Sequence, residues 1–275
     1  GGGGGMDLDP DAMAIDAEVD AYDIVDPKNI LKELNDSWAA VLEAKGSKWS
    51  EKRDNLVKLK ELASYPRIAS GDFGDIFRLL KKLIATDSNV QVVAESIACC
   101  GALSKGLRKE FANYARALVE ALFGKFKEKN STVIKNALET LTLMHQYCWG
   151  LLEIGEALQE ALGHSNPKVK ETTLQWLKSE IALEPKANMP KLAPVLLPLS
   201  AKCADEAAPS LREAALQFLA AFGVRSGSAA VIEKHTVNMD DSRKKKLQEL
   251  IAEASSQLRG GNPALNNNNN NNNNN

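Results

Sequence analysis

Apolar side chains recur along this chain at the spacing of a helical stripe, and the stripe itself recurs. Val90, Val133, Val169 and Leu211 each follow a short polar segment: Asp87-Ser88-Asn89, Asn130-Ser131-Thr132, Asn166-Pro167-Lys168 and Pro209-Ser210. Counting from each anchor, apolar or small residues return at four, seven or eight, and eleven positions on. Val90, Ala94, Ile97, Ala98 and Gly101 form one such set, and Leu211, Ala215, Phe218, Leu219 and Phe222 another. That spacing places each set on one face of an α-helix. The anchors lie 43, 36 and 42 residues apart, so one helical unit is being repeated.

The residues just before the anchors are helix starters. Asn166 suits an N-cap with Pro167 at the first helical position, Pro209 repeats the device, and Ser88 or Asn89 and Asn130 or Ser131 can cap the other two. Each capped helix is preceded by a second amphipathic stretch, at 72–85, 109–127, 151–163 and 189–203. An earlier pair (34–44 and 49–64) and a later one (229–234 and 241–258) bring the total to six. No alternating β pattern of useful length occurs. Helix pairs at a period near forty residues bury one another's apolar faces by stacking. The expected fold is all-α, a HEAT-repeat α-solenoid whose six pairs form a flat paddle, about 50–60 Å long at helix spacings near 10 Å.

Composition changes the picture mainly at the ends. Gly1 to Gly5 reads as a tag remnant and Asn266 to Asn275 as a low-complexity run. Between residues 6 and 27 lie Asp7, Asp9, Asp11, Asp16, Glu18, Asp20, Asp23 and Asp26 with no Lys or Arg, the composition of a disordered acidic linker. The expected division is therefore 1–27 as remnant and linker, 28–258 as the HEAT-repeat domain, and 259–275 as a disordered tail. Of 36 acidic residues eight sit in the linker, which leaves 34 basic against 28 acidic elsewhere. That mildly basic body favours an acidic partner. Cys99, Cys100, Cys148 and Cys203 lack CxxC spacing and lie in apolar stretches, as buried free thiols do in a reducing compartment. The longest nearly apolar run, 192–201, holds Pro194 and Pro198 and is too short to span a bilayer. No secretory leader is evident, so the expected location is the cytosol, or the nucleus at times, with no membrane partner.

Candidate chemistry falls away on inspection. His145, His164 and His235 have no companion at metal-ligand spacing, and no phosphate-loop, dinucleotide or nucleophile-elbow signature occurs. Gly71-Asp72-Phe73-Gly74-Asp75 lacks the alternating ligands of a calcium loop and reads as a turn in which Asp72 caps the next helix. Arg243-Lys244-Lys245-Lys246 could meet phosphates, but it sits beside Asp240 and Asp241 without interleaved aromatics, as a solvated terminal face does. Neither catalysis, a cofactor nor a nucleic-acid partner is expected.

In a stack of helix pairs the turns within each pair line up along one edge. Along it lie Trp49 and Lys52 after the first turn, Asn89 and Val90 at the second, Lys129 at the third, Lys168 and Lys170 at the fourth, and Arg212 after the fifth. Lys170 and Arg212 occupy the same place, one past the anchor, where Gln91 and Ile134 stand in other repeats. The segments Glu43-Ala44-Lys45, Trp49-Ser50-Glu51-Lys52-Arg53, Gly71-Asp72-Phe73, Lys81-Lys82-Leu83, Asn89-Val90, Gly106-Leu107-Arg108-Lys109 and Phe126-Lys127-Glu128-Lys129 resemble those of a TOG domain. The resemblance continues through Asn166-Pro167 and Pro209-Ser210-Leu211-Arg212 and covers residues 28–255. It is closest to the second TOG domain of the microtubule polymerases that carry TOG arrays, and less close to CLASP proteins; Gly46-Ser47 lengthens the first loop relative to the family pattern.

The resemblance implies a six-repeat HEAT paddle that binds the αβ-tubulin heterodimer through this edge as part of a microtubule polymerase. It implies that Trp49 packs on β-tubulin with Asn89 and Val90 beside it, that Lys129, Lys170 and Arg212 serve the later loops, and that Lys168 adds a contact. A monomeric domain acting at microtubule ends, spindle, centrosome or kinetochore is the corresponding expectation. From the residues alone, Trp49 could equally staple the first helix pair, as Trp38, Trp149 and Trp176 do in the same reading. A generic HEAT scaffold or adaptor, or a TOG-like domain without tubulin binding, are the rival readings.

Overall fold

The computed structural model describes residues 20–34 and 37–259, the last three by backbone alone. Its elements are helices throughout, apart from a single isolated bridge between Lys28 and Ile68 among the described residues. In chain order they are α1 (Ala21–Ile24), α2 (Ser37–Glu43), α3 (Trp49–Ala63), α4 (Gly74–Thr86), α5 (Val90–Leu107), α6 (Ala112–Arg116) and α7 (Val119–Gly124). Then come α8 (Ser131–Tyr147), α9 (Gly155–Leu162), α10 (Pro167–Glu180), α11 (Met189–Cys203), α12 (Pro209–Ser226), α13 (Ala230–Thr236) and α14 (Asp241–Arg259).

The pairs are α2/α3, α4/α5, α6–α7/α8, α9/α10, α11/α12 and α13/α14, a HEAT-repeat solenoid in the expected order. Local chemistry explains the starts. Asn89, Asn130 and Asn166 each accept hydrogen bonds from backbone N–H groups of the first turn, at 2.9 Å from Gln91, 3.0 Å from Thr132 and 2.9 Å from Lys168. The expected cap at Asp72 is displaced by one: Phe73 is the N-cap of α4, and Asp72 just before it accepts from Gly74 N–H at 2.9 Å. The third pair differs from expectation: residues 109–127 are two short helices flanked by 3-10 turns at Arg108–Phe111 and Lys125–Lys127. Phe111, Ala115, Leu118, Leu122 and Phe126 still form one buried stripe through the break.

Stacking makes the core. α3, α5 and α8 pack side by side, as do α10, α12 and α14, while the first helices of the pairs form the other layer. α5 is long and apolar enough to suit a membrane span, yet it is mostly buried between α3, α4 and α8. All four cysteines are buried and free, and burial pushes the Cys100 thiol up to about 12 and those of Cys148 and Cys203 to about 11.

Between α8 and α10 the backbones touch little, and side chains fill the joint. Trp176 packs edge-on against Phe123 with ring centroids 5.6 Å apart and donates its indole N–H to Thr142 Oγ1 at 3.0 Å. Thr142 in turn donates to Glu180 at 2.7 Å. His145 lies between Glu180 (Nδ1, 2.6 Å) and Glu184 (Nε2, 3.1 Å), all three side chains buried. Glu184 also accepts from Leu151 N–H at 2.6 Å and from Asn188 at 2.9 Å. The two carboxylates hold the imidazole charged and, against the opposing pull of burial, raise its pKa to about 9; Glu184 is lowered to about 2.

The chain enters along the edge opposite the intra-pair turns. Lys28 donates to Arg67 C=O at 2.9 Å and accepts from Ala69 N–H at 2.8 Å, while Ile68 N–H bonds Gly106 C=O at 3.0 Å. Gly106 is required here, since a Cβ would come within 2.5 Å of Ile68. Ahead of this, the Tyr22 ring lies between two guanidinium groups, Arg108 at 3.8 Å and Arg67 at 5.2 Å, and Asp20 pairs with Arg108. Arg108 also lies 4.9 Å from the Tyr147 ring and takes φ 51°, a left-handed conformation that costs energy in a residue with a Cβ. The linker drawn to residue 27 from composition is therefore packed on the paddle from Asp20 onward; its earlier part, and the tail after Arg259, lie outside the described residues.

Candidate functional site

The intra-pair turns share one edge, and the first of them presents an uncovered tryptophan. Trp49 opens α3 and is 45% exposed, whereas Trp38, Trp149 and Trp176 are buried. The core-staple reading thus holds for three tryptophans and fails for Trp49. Arg53, one turn on, lies over the Trp49 ring at 5.2 Å while donating to Asp54 at 2.7 Å, which limits the rotation of the indole. At the next turn Val90 is 47% exposed. An aromatic and a β-branched side chain therefore stand on adjacent helix starts with no apolar cover.

The second turn is held from beneath. Lys52 Nζ donates to Asp87 Oδ2 at 2.9 Å, and Asp87 Oδ1 accepts from Asn89 N–H at 2.9 Å. Asn89 then caps α5, so its side chain is committed to the helix start. These linked bonds make the platform under Val90 stiff. Lys52 is accordingly a brace between the first two pairs, not a loose cation.

The later turns behave the same way with one exception. Lys168 pairs with Glu171 at 3.1 Å. Lys170, largely buried, pairs with Glu206 of the fifth turn. Arg212 donates to the Glu206 and Ala207 carbonyls at 2.9 and 2.6 Å, stitching the one turn of the four with no side-chain cap. A cation in the first turn of a helix opposes the macrodipole, and the placement of Lys170 and Arg212 has this structural cause. Lys129 is exposed and has no ion pair or hydrogen bond among the described residues. The carboxylates that engage the basic residues, Asp87 and Glu206, were missed by the sequence reading. Their signal was present: Lys52 and Asp87 lie 35 positions apart and Lys170 and Glu206 lie 36 apart, about one repeat each.

Along the edge the first two turns present apolar side chains, the third presents the unpaired Lys129, and the fourth and fifth present cations tied to carboxylates or carbonyls. Among the described residues no three His, Cys, Asp or Glu side chains are grouped to hold a metal ion. Such a surface can bind a partner.

Relatives and solved structures decide the family. The chain is 39% identical over 246 residues to the protein MOR1 of rice, spanning 88% of this chain and 12% of that protein. It is 32% identical over 249 residues to the protein mini spindles of Drosophila melanogaster, spanning 90% and 12%. A solved structure from work on microtubule plus-end tracking by XMAP215, CLIP-170 and EB1 superposes with TM-score 0.77 at 29% identity, over 84% of this chain and 95% of that one.

The chain belongs to the TOG-domain family.

A structure from work on microtubule polymerases with TOG domain arrays agrees in fold, with TM-score 0.76 at 21% identity over 86% of this chain and 49% of that one. No protein-family model matches the chain. The chain spans about an eighth of the length of the curated relatives it matches.

Proposed function

We propose that this TOG domain binds the αβ-tubulin heterodimer through the intra-pair loop edge and contributes to microtubule growth as one module of a microtubule polymerase. The observation that carries the reading is Trp49: a large aromatic left half in solvent, steadied by Arg53 and flanked by Val90, is what the centre of a protein–protein contact needs. Trp49 and Val90 form the apolar anchor. Lys129 offers the free positive charge, while Lys168, Lys170 and Arg212 hold the fourth and fifth turns in shape and present charge around Glu206. Soluble, curved tubulin is the form favoured here. A stiff paddle touching both subunits would bind one inter-subunit angle better than another, and only such a difference can shift the equilibrium between shapes. Spindle, centrosome or kinetochore microtubules in the cytoplasm are the corresponding sites of action, with the domain itself a monomer.

The test is size-exclusion chromatography with light scattering on the chain mixed with soluble GDP-tubulin at low salt. A one-to-one complex is expected, with Trp49→Ala costing about 2–4 kcal/mol of binding, the range of a buried hot spot. Lys129→Glu should slow association as salt is lowered. Absence of any complex at tens of micromolar would leave a HEAT scaffold that binds another protein.

A further inference from the structure

The second helices of the pairs do not form one continuous layer. α3, α5 and α8 lie side by side, and so do α10, α12 and α14, but α10 leans mainly on the turn at Lys125–Lys127 and only lightly on α8. Each block is cross-linked within itself. Asn136 and Thr140 of α8 donate to the Ala94 and Ile97 carbonyls of α5 at 2.8 and 3.0 Å. Lys178 of α10 donates to Gln217 of α12 at 2.9 Å, and Arg225 of α12 donates to the Glu184 carbonyl at 2.9 Å. Among the described residues, the polar bonds that cross between the blocks are the exposed Arg116–Glu153 pair and the set formed by Thr142, His145, Trp176, Glu180 and Glu184. The indoles of Trp149 and Trp176 flank the His145 ring, with centroids 6.2 and 6.3 Å away.

The break divides the loop edge. Trp49, Val90 and Lys129 belong to the first block; Lys168, Lys170 and Arg212 belong to the second. The angle between the two halves of the edge is therefore set at the α8–α10 joint. Apolar helix faces can slide over one another, whereas a buried charged network has one arrangement that satisfies every member. His145 meets a carboxylate at each ring nitrogen only when Glu180, at the end of α10, and Glu184, beyond it, both face α8. Moving α10 by one turn would remove both.

We propose that the His145–Glu180–Glu184 network is a positioning lock, which fixes the angle between the two halves of the loop edge and thereby the shape of partner that the edge accepts. The lock belongs to the chain alone; its consequence for tubulin rests on the binding proposed above.

Distances between spin labels test it. Labels are placed across the joint with Gln91→Cys and Ala207→Cys, and within the first block with Lys58→Cys and Thr132→Cys. All four positions are exposed, and the native thiols are buried. The network is replaced by His145→Leu, Glu180→Leu and Glu184→Gln, which leaves no carboxylate unpaired and keeps an acceptor for Leu151 N–H. Double electron–electron resonance should show the 91–207 separation shifting by about 2 Å or more, the scale of helices sliding at a packed interface, or its distribution doubling in width. The 58–132 separation should stay as it was. Trp38→Ala, destabilising but remote from the joint, should change neither, which tells lost position apart from lost stability. Should the triple variant fail to fold, His145→Gln, able to donate to one carboxylate and not both, carries the same expectation. An unchanged 91–207 distribution would overturn the lock.

The tubulin arm is read separately. The unsubstituted chain should prefer soluble GDP-tubulin to taxane-stabilised microtubules, and the triple variant should lose about tenfold of that preference. Retained preference in a variant whose halves have moved would overturn the selection of partner shape. A label response with no tubulin complex from either chain would uphold the lock and sink the binding.

Discussion

The two long edges of the paddle treat their aromatic side chains in opposite ways. On the intra-pair edge Trp49 stands half exposed beside an exposed Val90. On the opposite edge the Tyr22 ring is covered by Arg67 and Arg108, and Arg108 reaches on to Tyr147. Further in, Trp149 and His145 are buried. Both edges are made of turns between helices of the same stack, so the difference does not come from the architecture. It comes from where the chain spends its own segments: the leading strap covers one edge, and nothing among the described residues covers the other. An edge that the described residues leave open is a reasoned place to look for a partner.

The contrast can be broken with tryptophans first. Trp38→Ala should destabilise the domain by about 3–5 kcal/mol, because it empties a packed site and orphans the Asn55 carbonyl that the indole N–H now bonds at 2.9 Å. Trp49→Ala should change stability by no more than about 0.5 kcal/mol, as surface substitutions do, while lowering affinity for tubulin. Urea denaturation of both variants decides it, and equal costs would return Trp49 to the core.

Next comes the joint between α8 and α10. His145→Ala leaves Glu180 and Glu184 facing each other without their cation, a buried-pair break worth about 3–5 kcal/mol and roughly 10 °C in Tm. The same group gives a pH signature. His145 titrates near 9 in the fold against 6.5 in the open chain, so its stabilisation is complete below about 6.5 and is lost as pH rises through 9. Glu184, lowered from 4.5 to about 2, contributes above 4.5 and fades as pH falls towards 2. Thermal melts from pH 4 to 10 should therefore show a decline above neutrality that His145→Ala lacks.

The smallest expected effect is on the covered edge. Tyr22→Ala should cost about 1 kcal/mol, the scale of a partly exposed cation–π contact. It should also speed amide exchange at Lys28, Ile68 and Ala69 while leaving the α3 and α5 starts unchanged. Exchange that stays slow would mean the backbone bonds at Lys28 hold the strap alone.

Much of this was legible beforehand. The period of Val90, Val133, Val169 and Leu211 gave the stack, and the Asn and Pro residues before them gave helix starts accurate to a residue or two, because capping is a local bond. The exposure of Trp49 was not legible from its own neighbourhood: a tryptophan at a helix start suits either a core or a surface, and only the absence of covering elements separates them. Lys52 and Lys170 looked like free cations because their carboxylate partners lie one repeat away, and Arg212 because its acceptors are backbone carbonyls, which sequence does not single out. The docking of Asp20 to Lys28 was not legible because a stretch so rich in carboxylates suggested too little apolar surface to order itself. The contacts of Tyr22 and Asp20 with arginines, and the Lys28 backbone bonds, depend on residues far along the chain.

The strap has one more consequence. Because Asp20 to Lys28 lies against the far edge, this stretch of the chain keeps clear of the intra-pair turns. In a protein where several such modules are strung together, the tether and the cargo would then occupy opposite sides, and a growing string could load every module without its own connecting thread crossing the loading side.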